Sequence, residues 1–444
     1  MTGYCIHRKN PMSLDRSLTL PCGATLSNRI AKAAMTEGLA ELDGEHAGLA
    51  GERIARLYKT WAEGGSGMLL TGNIMVDGRY RERPANVVVD GEQDAAERAG
   101  LQRFAAAAKS GGGLAIAQIS HSGRQSPKAI AAEPVGPSAV AMKMPGGLFA
   151  KPRALTVDEI RQIIERFATA AGELCAAGFD GVQVHSAHGY LLSEFLNPLA
   201  NRRDDDFGGS LDNRARLLIE IVKAVRGAIG ADKALSVKLN SSDFQKGGFT
   251  FDDCVRVVAM LDAEGIDLLE ISGGNYEQPR MLGFDGLEPV FEERVRESTR
   301  AREAYFMAYA AEVLGATRAP VMVTGGFRTR AAMEAALDEG VSVIGIARPL
   351  CIDPDLANRL LAGEVSELPA PEKAFRLGPG WLGPHSSSDL LKAANGFAAM
   401  SYFYRNIIRM GDGKPTNAKQ GLWGALVRHQ VQERADARLA VSRV

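Results

Sequence analysis

The sequence predicts an α/β protein built as a (β/α)8 TIM barrel, with an N-terminal hairpin cap and a C-terminal helical extension. Short apolar runs alternate with longer helical patterns along most of the chain, and eight such units can be counted. Strands with little polar interruption, each followed by a helix, are typical of a parallel sheet whose outer face is covered. Six or seven units would favour an open doubly wound sheet. The barrel is preferred because chemically interesting residues follow the ends of the runs, and a barrel collects those ends at one mouth.

The predicted strands and helices alternate in chain order. Strands are expected at residues 30–35, 68–74, 114–120, 181–185, 235–240, 268–272, 321–324 and 343–347. Helices are expected at residues 48–63, 95–109, 157–177, 211–229, 251–264, 302–314, 329–339 and 354–361. Good N-terminal caps precede several of them: Thr156 forms a capping box with Glu159, and Ser210 and Thr250 are natural N-caps.

Segments outside these units have patterns of their own. Residues 18–20 and 24–26 flank a Pro-Cys-Gly turn and predict a hairpin that plugs the bottom of the barrel. Residues 125–153 are rich in Pro, Gly and Ala without a clear period, which is typical of a lid or an insertion. Several prolines follow residue 361, and residues 390–410 and 422–438 then look helical. We therefore expect the barrel at residues 1–362 and a C-terminal helical extension at residues 363–444.

Composition and charge exclude several classes of function. The chain carries 52 Lys and Arg against 53 Asp and Glu, so no electrostatic case exists for binding nucleic acid or an anionic membrane. Its five cysteines have no short repeated spacing, which argues against a zinc or iron–sulfur site and suits a reducing cytosol. No signal peptide is recognised, and no apolar run reaches the roughly 18–20 residues of a membrane span. A cytoplasmic protein with a small-molecule partner is expected.

The strongest local signal is a cluster of two imidazoles and a phenol after the fourth predicted strand. His185, His188 and Tyr190 lie within six residues of one another. Imidazoles can hydrogen-bond a carbonyl oxygen and stabilise negative charge that develops on it, and a phenol can protonate a forming carbanion. Two alternatives stay open: the three residues could simply pack at a strand–helix junction, or the histidines could bind a metal. No third ligand stands at a characteristic spacing for that metal site.

A second signal follows the last two predicted strands. Gly325 and Gly326 come after the seventh, and Ala347 and Arg348 come after the eighth. Barrels often bind phosphate between these two loops through backbone N–H groups, and a guanidinium can pair with the phosphate. A glycine pair alone would be equally consistent with a bare tight turn.

Several motifs together resemble the Old Yellow Enzyme (ene-reductase) family over about residues 15–360. The matching segments are residues 28–30 with 35–36, residues 117–124, residues 182–214, residues 272–274 and residues 321–326. The resemblance implies a TIM barrel that holds FMN non-covalently at its mouth and is reduced by NADH or NADPH. No cysteine follows residue 361, so the larger relatives with a four-iron cluster and a second nucleotide-binding domain are not expected.

The resemblance also implies roles for individual residues. Ala33, Ala34 and Thr36 match the segment that runs past the flavin, with Thr36 near its O4 atom. Gln118 matches the residue that binds the pyrimidine edge of the flavin, and Lys238 stands beside flavin N1 where many members have Arg. The remaining matches are His185 and His188 on the substrate oxygen, with His185 also binding the cofactor, Tyr190 as the proton donor, and Gly325, Gly326, Ala347 and Arg348 on the phosphate.

These roles imply an FMN-dependent NAD(P)H oxidoreductase that reduces the activated C=C bond of an α,β-unsaturated carbonyl compound. The alternatives are another FMN barrel of the α-hydroxy-acid-oxidase type, a catalytically vestigial FMN-binding protein, and a barrel that binds phosphate sugars without flavin. Residues 125–153 and 274–288 are expected to line the entrance. The amphipathic tail is expected to pack on the barrel or on a second copy of the chain, which would make a homo-oligomer.

Overall fold

A computed structural model describes residues 13–42, 47–142, 147–273, 307–384 and 386–441. Its strands are β1 (Leu18–Thr19), β2 (Thr25–Leu26), β3 (Ile30–Lys32), β4 (Met68–Leu70), β5 (Ile74–Met75), β6 (Leu114–Ser120), β7 (Val135–Gly136), β8 (Arg153–Ala154), β9 (Gly181–Ser186), β10 (Ala234–Asn240), β11 (Leu268–Ser272), β12 (Val321–Thr324) and β13 (Val343–Ile346). Its helices are α1 (Glu52–Glu63), α2 (Ala95–Lys109), α3 (Val157–Ala176), α4 (Leu191–Leu196), α5 (Leu211–Ile229), α6 (Phe251–Ala263), α7 (Met307–Ala316), α8 (Arg330–Asp338), α9 (Leu356–Leu361), α10 (Asp389–Gly411) and α11 (Leu422–Val441).

Eight of these strands close into a parallel barrel. In order around the ring they are β3, β4, β6, β9, β10, β11, β12 and β13, and β13 pairs with β3 to complete it. The short β5 pairs with the end of β6. The predicted TIM barrel is therefore confirmed, and the open doubly wound sheet is excluded because an open sheet leaves two unpaired edges.

The hairpin of β1 and β2 covers the bottom of the barrel, as predicted. Its Leu20 and Leu26 are buried in one cluster with apolar residues from the starts of the barrel strands, among them Met68, Ala234 and Leu268. A larger apolar cluster fills the space between the strands and the helices. Among the described residues, the hairpin thus covers one end of the barrel, the end at which the strands begin.

The predicted second strand, at residues 68–74, is interrupted. Residues 71–73 separate β4 from β5, and the backbone N–H of Gly72 donates to the Glu37 carboxylate at 2.7 Å and to the Tyr58 hydroxyl at 3.0 Å. A backbone donor that is bound by side chains cannot continue the strand ladder. A Cβ at position 72 would lie 2.4 Å from the Met35 carbonyl oxygen, so this close approach requires glycine.

Helix starts agree with the predicted caps, with one correction. Thr156 and Glu159 form the reciprocal capping box, and the side chains of Ser210 and Thr250 each accept from the backbone at N3. The first helix begins at Glu52 instead of residue 48, because Gly48 has φ +100°, which lies outside helical geometry. The helix expected at 302–314 is described from Met307, and residues 301–306 and 274–288 lie outside the described residues.

The C-terminal helices α10 and α11 pack against each other and α10 packs on α1. Arg53 of α1 forms an ion pair with Asp412 at 2.8 Å, and Arg56 donates to the Gly411 carbonyl at 2.8 Å. The extension therefore packs on the barrel, which is one of the two arrangements expected from the sequence; the other was packing on a second copy of the chain. The boundary at residue 362 and a homo-oligomer stay predictions. Within the described ranges, no helix combines the length and apolar character that a membrane span requires.

Candidate active site at the mouth of the barrel

Polar side chains line the upper interior of the barrel on four neighbouring strands. They recur with a period of two, which places them on one face of each strand: Gln118 on β6, Gln183 and His185 on β9, Ser236 and Lys238 on β10, and Glu270 and Ser272 on β11. The strand register pairs Gln118 with Gln183, His185 with Lys238, and Lys238 with Glu270. Every one of these side chains is buried. The sequence therefore places a polar layer directly above the apolar plug.

Two hydrogen bonds and an ion pair join four of these side chains. Gln118 Nε2 donates to Gln183 Oε1 at 2.7 Å, and Gln183 Nε2 donates to Glu270 Oε2 at 2.9 Å. Glu270 Oε1 in turn lies 2.9 Å from Lys238 Nζ. The structure thus brings together the predicted residues Gln118 and Lys238, and it adds Gln183 and Glu270, which the sequence prediction missed. The period-two spacing of polar residues inside apolar strands is the signal that could have revealed them.

The predicted catalytic trio forms one cluster at the C-terminal end of β9. The ring centroids of His185 and His188 are 5.1 Å apart, and those of His185 and Tyr190 are 4.9 Å apart in an edge-on arrangement. His185 and Tyr190 are buried, and His188 is partly exposed. The cluster is therefore accessible from the mouth through His188.

His188 adopts a backbone conformation that is uncommon for a residue with a side chain. Its φ is +62°, its N–H donates to Asn240 Oδ1 at 3.1 Å, and its carbonyl accepts from Gln125 Nε2 at 2.8 Å. Its Nε2 lies 2.7 Å from the Ser272 hydroxyl. Left-handed backbone held by surrounding hydrogen bonds is a recurrent feature of functional sites. The Ser272 hydroxyl orients this ring.

Both histidines are uncharged near neutral pH. Burial, and then the neighbouring Lys238 ammonium, hold the pKa of His185 and that of His188 well below the ordinary value of imidazole. His185 Nδ1 is buried and has no hydrogen-bond partner within the described part of the chain. A buried polar atom without a partner costs free energy unless a ligand satisfies it. Among the residues described, no three His, Cys, Asp or Glu side chains meet as a metal site.

The segment after β3, a strand that pairs with β4 and β13, makes contacts of its own. The Ala33 N–H continues the barrel ladder by donating to the Ile346 carbonyl at 2.8 Å, and Ala34 is partly exposed. Thr36 Oγ1 donates to Glu82 Oε2 at 2.9 Å, and Asn73 Nδ2 donates to the same oxygen at 2.7 Å. The predicted place of Thr36 near a flavin stays a prediction.

The loops after β12 and β13 combine left-handed glycines with guanidinium groups. Gly325 and Gly326 have φ of +109° and +84°, and their strand β12 is paired with β13, which leads into Ala347 and Arg348. Arg348 Nη1 lies 3.8 Å from the Glu372 carboxylate, and Arg328 forms an ion pair with the same carboxylate. Arg328 and Glu372 were not predicted. Successive glycines and two cations suit an anionic group such as a phosphate.

Comparison with known proteins identifies the family to which the chain belongs. The model of the NADH:flavin oxidoreductase / NADH oxidase family matches residues 20–367, which is more than half of the chain. The chain belongs to this family. An NADH-dependent flavin oxidoreductase of Hypocrea jecorina is 36% identical over 361 residues, which cover 78% of this chain and 88% of that protein. A 4,4'-dithiodibutanoate disulfide reductase of Rhodococcus erythropolis is 30% identical over 366 residues, with 77% and 87% covered.

Solved structures agree with this assignment. The old yellow enzyme homologue from Zymomonas mobilis matches with a TM-score of 0.66 at 26% identity, and the match covers 83% of this chain and 98% of that one. The predicted Old Yellow Enzyme membership is confirmed, and the chain is a flavin oxidoreductase that uses a nicotinamide reductant. The relatives' names differ in what they reduce, so similarity does not identify the substrate.

The residues present fit an FMN at the mouth of the barrel. The buried His185 Nδ1 faces no partner among the described residues, and the same holds for Thr324 Oγ1 next to the glycine pair. One end of the site thus offers polar groups suited to a flavin ring, and the other offers backbone N–H groups and guanidiniums suited to a phosphate.

Proposed function

We propose that this chain is an FMN-dependent ene-reductase that uses NAD(P)H to reduce the activated C=C bond of an α,β-unsaturated carbonyl compound. The observation that carries the proposal is the cluster of two neutral imidazoles and a phenol at the barrel mouth, in which His185 and Tyr190 are buried and His188 is partly exposed. Neutral imidazoles can donate to a carbonyl oxygen, and the edge-on phenol stands next to them. Lys238 is already paired with Glu270, so it is not available to bind the carboxylate of a substrate, as an enzyme of the α-hydroxy-acid-oxidase type would require.

The proposed cofactor site uses two groups of residues. Ala33, Ala34, Thr36, Gln118, His185 and Lys238 would surround the flavin ring, and Gly325, Gly326, Ala347 and Arg348 would hold its phosphate. FMN, when bound, supplies the hydride acceptor and donor that the protein itself lacks. Lys238 would place positive charge near the ring, and its ion pair with Glu270 would keep that charge fixed in position.

His185 and His188 would bind the substrate's carbonyl oxygen. When the Ser272 hydroxyl donates to His188 Nε2, the single proton of the neutral ring lies on Nδ1 and is available to the substrate. The unpartnered Nδ1 of His185 can donate as well when it carries the proton of that ring. Two donors on one oxygen withdraw electrons from the β-carbon and stabilise negative charge on the oxygen.

Tyr190 would protonate the α-carbon. Its ring lies edge-on to His185 with 4.9 Å between centroids, so a substrate held by the imidazoles comes within reach of the phenol. A phenol with an ordinary pKa of about 10 keeps its proton at neutral pH and can deliver it to a carbanion. NADH is the proposed reductant, because the family description and the Hypocrea jecorina relative both name it.

The purified protein tests this proposal directly. We expect a yellow protein with stoichiometric FMN that NADH bleaches under anaerobic conditions and that 2-cyclohexenone then reoxidises. Saturated cyclohexanone is the matched control and should not reoxidise it. A colourless protein that cannot take up FMN would overturn the proposal. Reoxidation by oxygen but by no enone would support a vestigial or different oxidoreductase instead.

A further inference from the structure

An apolar cavity lies between the barrel and the C-terminal extension. Its volume is about 190 Å³. The barrel contributes three lining side chains and helix α10 contributes four: Met35, Arg348 and Cys351, and Met400, Phe403, Tyr404 and Ile407. The lining is apolar except for the phenol of Tyr404 and the guanidinium of Arg348.

The barrel side of this cavity borders the proposed cofactor site. Met35 stands between Ala34 and Thr36, and Arg348 belongs to the proposed phosphate loop. The Cys351 and Met35 sulfur atoms lie 3.5 Å apart, which joins the segment after β3 to the segment after β13. Burial raises the pKa of the Cys351 thiol to about 12, so this wall is uncharged apart from Arg348.

The opposite wall is a single face of helix α10. Positions 400, 403, 404 and 407 follow helical spacing, so their side chains project from the same face. Tyr404 is held on the barrel by the Arg83 guanidinium, 3.7 Å from its ring centroid, and on α11 by the stacked ring of His429 at 5.1 Å. The Arg83 guanidinium also pairs with Glu433 of α11 at 3.1 Å. These contacts fix the position of α10, and its side chains form one wall of the cavity.

We propose that α10 completes the cofactor site and that this cavity takes the dimethylbenzene edge of FMN. The inference rests on the proposed function. An apolar cavity of about 150 Å³ accommodates benzene, so one of about 190 Å³ has room for a substituted aromatic ring. FMN combines an apolar dimethylbenzene edge with a phosphate. The cavity likewise combines an apolar lining with the guanidinium of Arg348. Helix α10 lies beyond the family match at residues 20–367.

The test compares FMN with 7,8-didemethyl-FMN, which lacks the two methyl groups. The dissociation constants of both flavins are measured by fluorescence titration of the apoprotein. Burial of two methyl groups should make the wild-type protein bind FMN about tenfold more tightly than the demethylated analogue. Met400→Trp, which fills the cavity, should weaken FMN binding at least tenfold and abolish the preference. Leu390→Ala, at a 79% exposed position near the start of α10, is the matched control and should keep wild-type values.

The outcomes separate this inference from the proposed function. Equal affinity of the wild-type protein for the two flavins would overturn the inference and leave FMN binding intact. A folded Met400→Trp variant with unchanged affinities would also overturn it. Failure of the wild-type protein to bind either flavin would overturn the proposed function as well. The wild-type comparison needs no variant, so a misfolded Met400→Trp protein does not remove the test.

Discussion

The side chains of His185, His188 and Tyr190 meet because all three leave the same strand end within six residues. Burial keeps both imidazoles neutral, and Ser272 at the end of β11, two strands away from β9, orients the His188 ring. A site with neutral hydrogen-bond donors and a nearby phenol is suited to a polarised, uncharged substrate. The proposed chemistry therefore depends on donors that do not change charge around neutral pH.

Replacement of Tyr190 by Phe tests the proposed proton donor. The loss of the hydroxyl should slow reoxidation of the reduced protein by 2-cyclohexenone about a hundredfold or more, because general acid catalysis contributes on that order. Reduction by NADH should stay nearly unchanged. Stopped-flow measurement of the flavin absorbance follows each half-reaction separately. Wild-type rates in both would refute the role of Tyr190.

The buried pair of Lys238 and Glu270 gives a second residue-scale prediction. Glu270→Gln should raise the midpoint potential of the bound flavin, because the unopposed ammonium favours the anionic reduced ring. Lys238→Gln should lower it. Spectroelectrochemical titration measures both, and the visible flavin spectrum checks that each variant has folded around the cofactor. A shift of both variants in the same direction would contradict the assignment of Lys238 beside the flavin.

Sequence motifs identified the residues that are proposed to carry the chemistry, but not their partners. His185, His188, Tyr190, Gln118 and Lys238 were all found from local patterns and the family resemblance. Their partners stand far away in sequence: Gln183 Nε2 bonds Glu270 across 87 positions. A contact of that kind depends on the strand register and the tilt of the barrel, which no local pattern specifies.

Secondary-structure elements were predictable where caps and periodicity agreed. Helices α2 and α5 have the predicted bounds, and the capping box of α3 is present. The errors occurred where tertiary contacts decide. The break between β4 and β5 depends on Glu37 and Tyr58, which bind the Gly72 N–H from distant parts of the chain.

The α3 capping box allows a quantitative test at this scale. Thr156→Ala removes the side-chain acceptor for the Glu159 N–H and should lower the free energy of unfolding by about 1 kcal/mol. Thr156→Ser keeps a hydroxyl at the same position and is the matched control. Urea denaturation followed by circular dichroism compares the two. Equal losses in both variants would mean that something other than the cap is responsible.

The whole molecule should lose stability as the pH falls below about 6.5. Burial lowers the pKa of His121 to about 4 and that of His429 to about 3, whereas unfolded histidines titrate near 6.5. Between those values the unfolded chain binds more protons than the folded chain, so acidification favours unfolding. Urea unfolding of the apoprotein at about pH 7 and about pH 5 measures this difference.

His121→Asn isolates one of these contributions. The Asn oxygen can replace Nδ1 as the acceptor for the Gly123 N–H, which lies 3.0 Å away, but it cannot titrate. This variant should therefore show a smaller loss of stability between the two pH values. Burial raises the pKa of Asp436 to about 6, so this carboxyl favours the folded state on acidification. Its contribution to stability is the same in the wild-type protein and in the variant and therefore cancels in the comparison. An unchanged pH dependence would mean that His121 is not held neutral by the fold.

At the scale of the molecule, three parts of the fold together shape the barrel interior and its mouth. The hairpin seals the bottom, polar layers fill the upper interior, and α10 closes one side of the mouth. The sequence predicted the hairpin from its turn, and it predicted the polar layers only in part. It did not predict which face of α10 would meet the barrel, because aromatic and apolar residues occur on more than one side of that helix.

Transfer of a labelled hydride tests the central claim most directly. The protein is incubated anaerobically with 2-cyclohexenone and NADH that carries deuterium at C4 of the nicotinamide, and the product is analysed by NMR. We predict cyclohexanone with deuterium at the former β-carbon and a solvent-derived hydrogen at the α-carbon. Enone recovered unchanged while the flavin is fully reduced would contradict the account.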